Sequence, residues 1–151
     1  MAIIEIENSG KYSPYKQQFL FTRTAILSVG QRAEVYWNGD PSKSWYPVTD
    51  SVYSGQINCL VSVIDSGGGS QSYGASNVEE NNILFEYISG VSTIAHLHTY
   101  FKTSDANMNG TWHFSVNPIN QGIVIEWEAP SGASNTTFKI QCIALVNSLY
   151  L

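Results

Sequence analysis

Apolar residues recur at every second position in short runs along this chain, and turn-forming residues separate the runs. Side chains alternate between the two faces of a strand, so a period of two predicts half-buried β-strands. Ten such runs cover residues 3–7, 17–29, 32–37, 45–49, 55–64, 83–89, 93–102, 111–117, 122–128 and 136–146, with the second expected to bend or break. No window of helical length combines a 3.6-residue period with a capping pattern. The pattern predicts an all-β fold without substantial helix: one domain over residues 1–151, a two-sheet β-sandwich of about 8–10 strands, jelly-roll-like in plan. Asn8-Ser9-Gly10, Val29-Gly30-Gln31 and Asn38-Gly39-Asp40-Pro41 mark turns. The longest expected loop is 65–82, whose Ser66-Gly67-Gly68-Gly69-Ser70 run predicts either mobility or ordering by a neighbouring chain.

The faces of the later strands carry the candidate chemistry. In the run 93–101, alternation places His96 and His98 on one side, with Ala95, Leu97, Thr99 and Phe101 towards the core. In the next run Trp112, Phe114 and Val116 point inward and His113 outward. If successive hairpins join these strands, His98 falls opposite His113 and His113 opposite Glu126, while Ile123, Ile125 and Trp127 face the core. Three imidazoles and a carboxylate, His96, His98, His113 and Glu126, are ligands suited to zinc or iron. The His-x-His pair with a later histidine resembles the metal-binding strands of cupins and α-carbonic anhydrases, which would imply a metal-dependent enzyme. It is also similar to the iron-binding motif of some trimeric phage fibres and spikes, which would imply that three copies complete one octahedral site. Against both stands the simpler expectation of histidines on a polar strand face or at a subunit contact, with no cofactor.

The last run divides into a core face, Phe138, Ile140, Cys142, Ala144 and Val146, and an outer face that includes Ile143 and Leu145. Leu149, Tyr150 and Leu151 follow. An outer face this apolar predicts burial, either on the chain's own fold or at a subunit interface formed by Ile143, Leu145, Leu149, Tyr150 and Leu151.

A second constellation surrounds one turn: Tyr36, Trp37, Asn38, Asp40, Trp45 and Tyr46. Flat aromatic faces stack on sugar rings while amides and carboxylates bond hydroxyls, the logic of a glycan-binding site. The competing expectation is that Trp37 and Trp45 close one end of the core.

Composition narrows the function classes. Seven basic residues against twelve acidic ones cannot lay a track along phosphates, which argues against nucleic-acid binding. No apolar stretch reaches membrane-span length, and the amino terminus lacks the basic and apolar regions of a signal peptide. Cys59 and Cys142 lie in apolar strand runs and are expected as buried free thiols. No nucleophile elbow, phosphate loop or dinucleotide fingerprint is present, and Glu126 with Glu128 is a bare i, i+2 pair. Only 13% of residues are charged and 13% are aromatic, so Ser, Asn, Thr and Gly supply the polarity, as in extracellular β-proteins. Proteins made in a host cytoplasm without an export signal and then exposed in a virion reconcile these features. The sequence thus predicts a bacteriophage structural protein, a capsid decoration, head-fibre or tail-associated β-sandwich, and not an enzyme. Its expected partners are copies of itself, with the fibre resemblance implying a trimer, other virion proteins and a surface glycan. A carbohydrate-binding lectin and a cupin-like metalloenzyme are the alternatives.

Overall fold

The computed structural model describes residues 16–105 and 107–151; the expected strand at 3–7 lies outside them. The described residues form strands β1 (Lys16–Leu27), β2 (Arg32–Glu34), β3 (Tyr36–Trp37), β4 (Ser51–Asp65), β5 (Ser76–Ile88), β6 (Val91–Ser104), β7 (Thr111–Val116), β8 (Ile123–Glu128) and β9 (Thr136–Tyr150), and no helix. All pairings are antiparallel. A six-stranded sheet has the order β3-β1-β9-β4-β5-β6, and a three-stranded sheet the order β2-β8-β7. The two layers make a β-sandwich; these orders do not by themselves establish a jelly-roll connectivity.

The alternating pattern places the core. Phe19, Phe21, Ile57, Val61, Val63, Phe85, Phe138 and Ile140 line the inner face of the large sheet, and Trp112, Ile125 and Trp127 cover them from the small one. The Trp127 ring meets Phe138 edge-on at 4.8 Å between centroids. Each large side chain buried in this way contributes about 1.5–3 kcal/mol, so the short second sheet is held mainly by what it covers. Cys59 and Cys142 are opposite each other on β4 and β9, with sulfurs 3.5 Å apart, and both are buried free thiols. Burial pushes the Cys142 thiol well above its ordinary pKa.

Departures from the sequence pattern are largest in four places. The run expected to bend near residues 17–29 is one continuous strand, because β9 pairs with it from Lys16 to Leu27. The run 32–37 divides at Val35: β2 joins the small sheet and β3 the large one, so the chain turns a corner between layers. Residues 45–49 form no strand, and Trp45 and Pro47 are buried from a loop. β5 begins at Ser76, inside the expected long loop. Its inward residues there are Asn77, Glu79 and Asn81, whose polarity hides the strand period.

Candidate functional site

The small sheet confirms half of the histidine geometry. His113 and Glu126 are register partners across β7 and β8, and both side chains point away from the core. The imidazole, however, engages Glu128: His113 Nε2 lies 2.9 Å from Glu128 Oε1. That hydrogen bond, reinforced by Arg32 at 3.4 Å, holds the Glu128 carboxyl below its ordinary pKa. Arg32 also reaches Glu126 at 3.7 Å. Glu34, opposite Glu126, is raised by burial and then by Glu126. Arg32 thus bridges Glu126 and Glu128 on this face, while Glu34 and Glu126 repel one another.

The other half of the expected set is elsewhere. β6 is the edge of the large sheet and does not pair with β7, so His98 does not face His113. Nor do His96 and His98 share a face. Register shifts opposite Asn82/Ile83 and Glu80/Asn81 leave Leu97 and Tyr100 without partners in β5, two bulges in β6. A bulge inserts one residue and reverses the alternation beyond it. His96 therefore pairs with the inward Ile83, beside the Phe114 ring at 5.3 Å, while His98 pairs with the outward Asn82, against Tyr100 at 4.8 Å. Three of the four residues expected inward are overturned with it: Leu97 and Phe101 are exposed, and Ala95 pairs with the outward Leu84, while Thr99 stays inward, paired and hydrogen-bonded with the buried Asn81. Among the described residues, no group of three or more His, Cys, Asp and Glu converges as metal ligands. His96, His98, His113 and Glu126 are not one site in this chain.

The aromatic turn resolves towards the core. Trp37 and Trp45 are buried, and the Trp45 ring packs edge-on against Phe19, Tyr53 and Phe85 at 5.2–5.4 Å. Neither indole offers a face to solvent. Tyr36 is half-buried beneath the Arg23 guanidinium, 5.0 Å from its centroid. Asn38 is exposed, Tyr46 half-buried, and Asp40 accepts hydrogen bonds from the Ser42 amide and hydroxyl, which hold its carboxyl below the usual range. Trp37 and Trp45 close one end of the sandwich and leave no stacking platform of their own.

On β9 the outer face is as expected at Ile143, Leu145 and Leu149, with Leu149 58% exposed. Tyr150 turns the other way: it faces Tyr53 across the core end and accepts a hydrogen bond from Gln17 Nε2 at 2.8 Å. The strand remains paired with β4 to Tyr150, and the Leu151 amide bonds Asp50 O at 3.0 Å.

At the opposite end lies a constellation that alternation cannot reveal. The Gly-rich connection 66–75 is ordered by its own chain. Gly68 N and Ser70 N donate to Ser134 O and Gly132 O, and Thr136 Oγ1 donates to Ser66 O. A Cβ at Gly67 would stand 2.0 Å from Asn135 O, so the glycine is required by close backbone approach. Buried Gln71 donates through Nε2 to Asn107 O at 2.9 Å and Ser131 O at 3.2 Å, joining three loops. Beside this frame is a cleft of about 420 Å³ lined by Ser72, Tyr73, Gly74, Ala75, Asp105 and Asn107. An aromatic residue in a Gly/Ser-rich loop was the available signal for it; which loops meet there is tertiary information.

No protein-family profile matches the sequence, and no curated protein matches it. Among solved structures, the chain is similar to the tailspike protein of Acinetobacter baumannii phage AM24, with a TM-score of 0.50 and 8% identity over 90% of this chain and 27% of the tailspike. It is also similar to the tailspike protein of Acinetobacter phage vB_ApiP_P1, with a TM-score of 0.41 and 10% identity over 99% of this chain and 24% of that one. The chain therefore spans about a quarter of the length of each tailspike, and what it shares with the AM24 protein is the fold.

Proposed function

We propose that this chain is a bacteriophage structural protein, tail-associated in preference to a capsid decoration, that acts through surface contacts in the virion. The observation that carries this reading is the fold shared with the AM24 tailspike over 90% of the chain. Its partners are copies of itself and neighbouring virion proteins. The outer face of the large sheet supports contact as the mode of action. There Leu145 and Leu149 on β9 are exposed, the half-buried Val52 on the adjacent β4 pairs with Leu149, and the exposed Leu60 lies further along the same face, opposite Gln141. Exposed apolar side chains grouped on one face mark association surfaces.

Native mass spectrometry of the purified chain tests the self-association. A defined oligomer is expected, and Leu145→Glu with Leu149→Glu should dissociate it while leaving the circular dichroism of the fold intact. A wild-type monomer at tens of micromolar would remove self-contact from the proposal. Labelling of phage particles with antibody against the chain tests location: signal confined to the tail supports the reading, and signal over the head or none on particles overturns it.

A further inference from the structure

We propose that the cleft beside Tyr73 is a binding site for a neutral saccharide, with the Tyr73 ring as its stacking platform. Tyr73 is 81% exposed, an unusual position for a large aromatic side chain that the fold does not use. It is presented by a β-turn in which Ala75 N donates to Ser72 O at 3.0 Å and Gly74 adopts a φ of +84°. That pattern, with positive φ at the third residue, places Tyr73 at the turn's leading corner.

The ring is carried on a rigid frame. Gly74 N donates to Val63 O at 2.8 Å, Ser76 N to Asp105 Oδ2 at 2.9 Å and Asp105 N to Ser76 O at 3.1 Å. Gln71 and the close approach at Gly67 fix the loops behind it. A site held in this way loses little entropy when a ligand arrives, which is what gives a shallow cleft useful affinity.

The lining selects the ligand class. Asp105 supplies its Oδ1 as an acceptor, Oδ2 being bonded to Ser76 N; Asn107 supplies an amide oxygen, its Nδ2 lying 3.5 Å from Ser70 O; and Ser72 supplies a hydroxyl, all bordering the same cleft as the ring. This set suits a molecule with an apolar C–H face and a rim of hydroxyls. Among the described residues, no Lys, Arg or His lines the cleft, and the chain carries a net charge of −5, so phosphates and uronic acids are disfavoured. The volume of about 420 Å³ falls within the range of small-ligand sites, roughly 300–1,000 Å³. This site is separate from the expected aromatic turn around Trp45. It also stands independently of the virion proposal, since oligomer mass and particle labelling read that proposal without any saccharide.

The test uses the full chain on an array of neutral and acidic glycans, followed by titration of ¹⁵N-labelled protein with the best neutral oligosaccharide and with hexagalacturonate. Saturable amide shifts confined to residues 72–76, 105 and 107–109 are expected, with the galacturonate at least tenfold weaker. Tyr73→Ala should weaken binding at least tenfold at unchanged melting temperature, whereas Tyr73→Phe, which keeps the ring, should stay within threefold of wild type. The proposal is overturned by absence of binding to every neutral glycan, by full binding in Tyr73→Ala, or by shifts centred on Tyr36 and Tyr46 instead.

Discussion

The two ends of β4 hold the sandwich shut in opposite ways. Near its start, at Tyr53, the loop residue Trp45 drives an indole between Phe19, Tyr53 and Phe85, and the closure is aromatic. Near its end, beyond Val63, the closure is polar. Gln71, Asn77 and Thr136 are buried and bond backbone carbonyls of other segments. The aromatic residue carried by the loop at this end, Tyr73, is left outside. An apolar plug tolerates approximate geometry because burial is non-directional, whereas a polar closure requires every loop at a set position. The polar end is therefore the one suited to hold a preformed binding cleft.

Substitutions can break this contrast. Trp45→Ala should have the largest effect, a loss of about 3–5 kcal/mol read as a drop in the urea midpoint, because a large ring leaves a cavity among three aromatic neighbours. A loss under about 1 kcal/mol would mean that the plug is not structural. Gly67→Ala should cost about 1–3 kcal/mol, since its Cβ meets the Asn135 carbonyl. It should also weaken saccharide binding at the Tyr73 cleft, and retention of both properties would show that the loop frame is soft.

Glu79→Gln gives a smaller, pH-dependent effect. Burial raises the Glu79 carboxyl above its ordinary value of 4.5, with Lys102 opposing. The folded state thus holds the proton more tightly than the unfolded chain, and stability falls as pH rises through the raised pKa. Relative to wild type, Glu79→Gln should gain stability between pH 4 and pH 7, measured as the difference in urea midpoints at the two values. A difference that stays constant or shrinks would assign the opposite sign to this group. Tyr73→Ala should change stability least, within about 0.5 kcal/mol, because its ring is solvated.

Much of the fold is legible along the chain, and particular residues show where legibility stops. On β7 and β8 strict alternation places Trp112, Ile125 and Trp127 inside and His113 opposite Glu126. On β6 the same rule fails at Leu97 and Tyr100, because a bulge is a property of two strands and leaves no local mark in one. The inward Asn77, Glu79 and Asn81 fail differently: their pattern is regular, but their partners are tertiary, so the residues read as a loop.

The chain's own order of polar and apolar residues determined the strands, the two-layer class and most core positions, since a side-chain period of two is written directly in covalent connectivity. Only the folded arrangement decided that Cys59 meets Cys142, that β6 and β7 belong to different sheets, and that loops around Tyr73, Asp105 and Gln71 share one end. Those outcomes depend on register and on which distant segments supply hydrogen-bond partners. Neither quantity is encoded within any single stretch of residues.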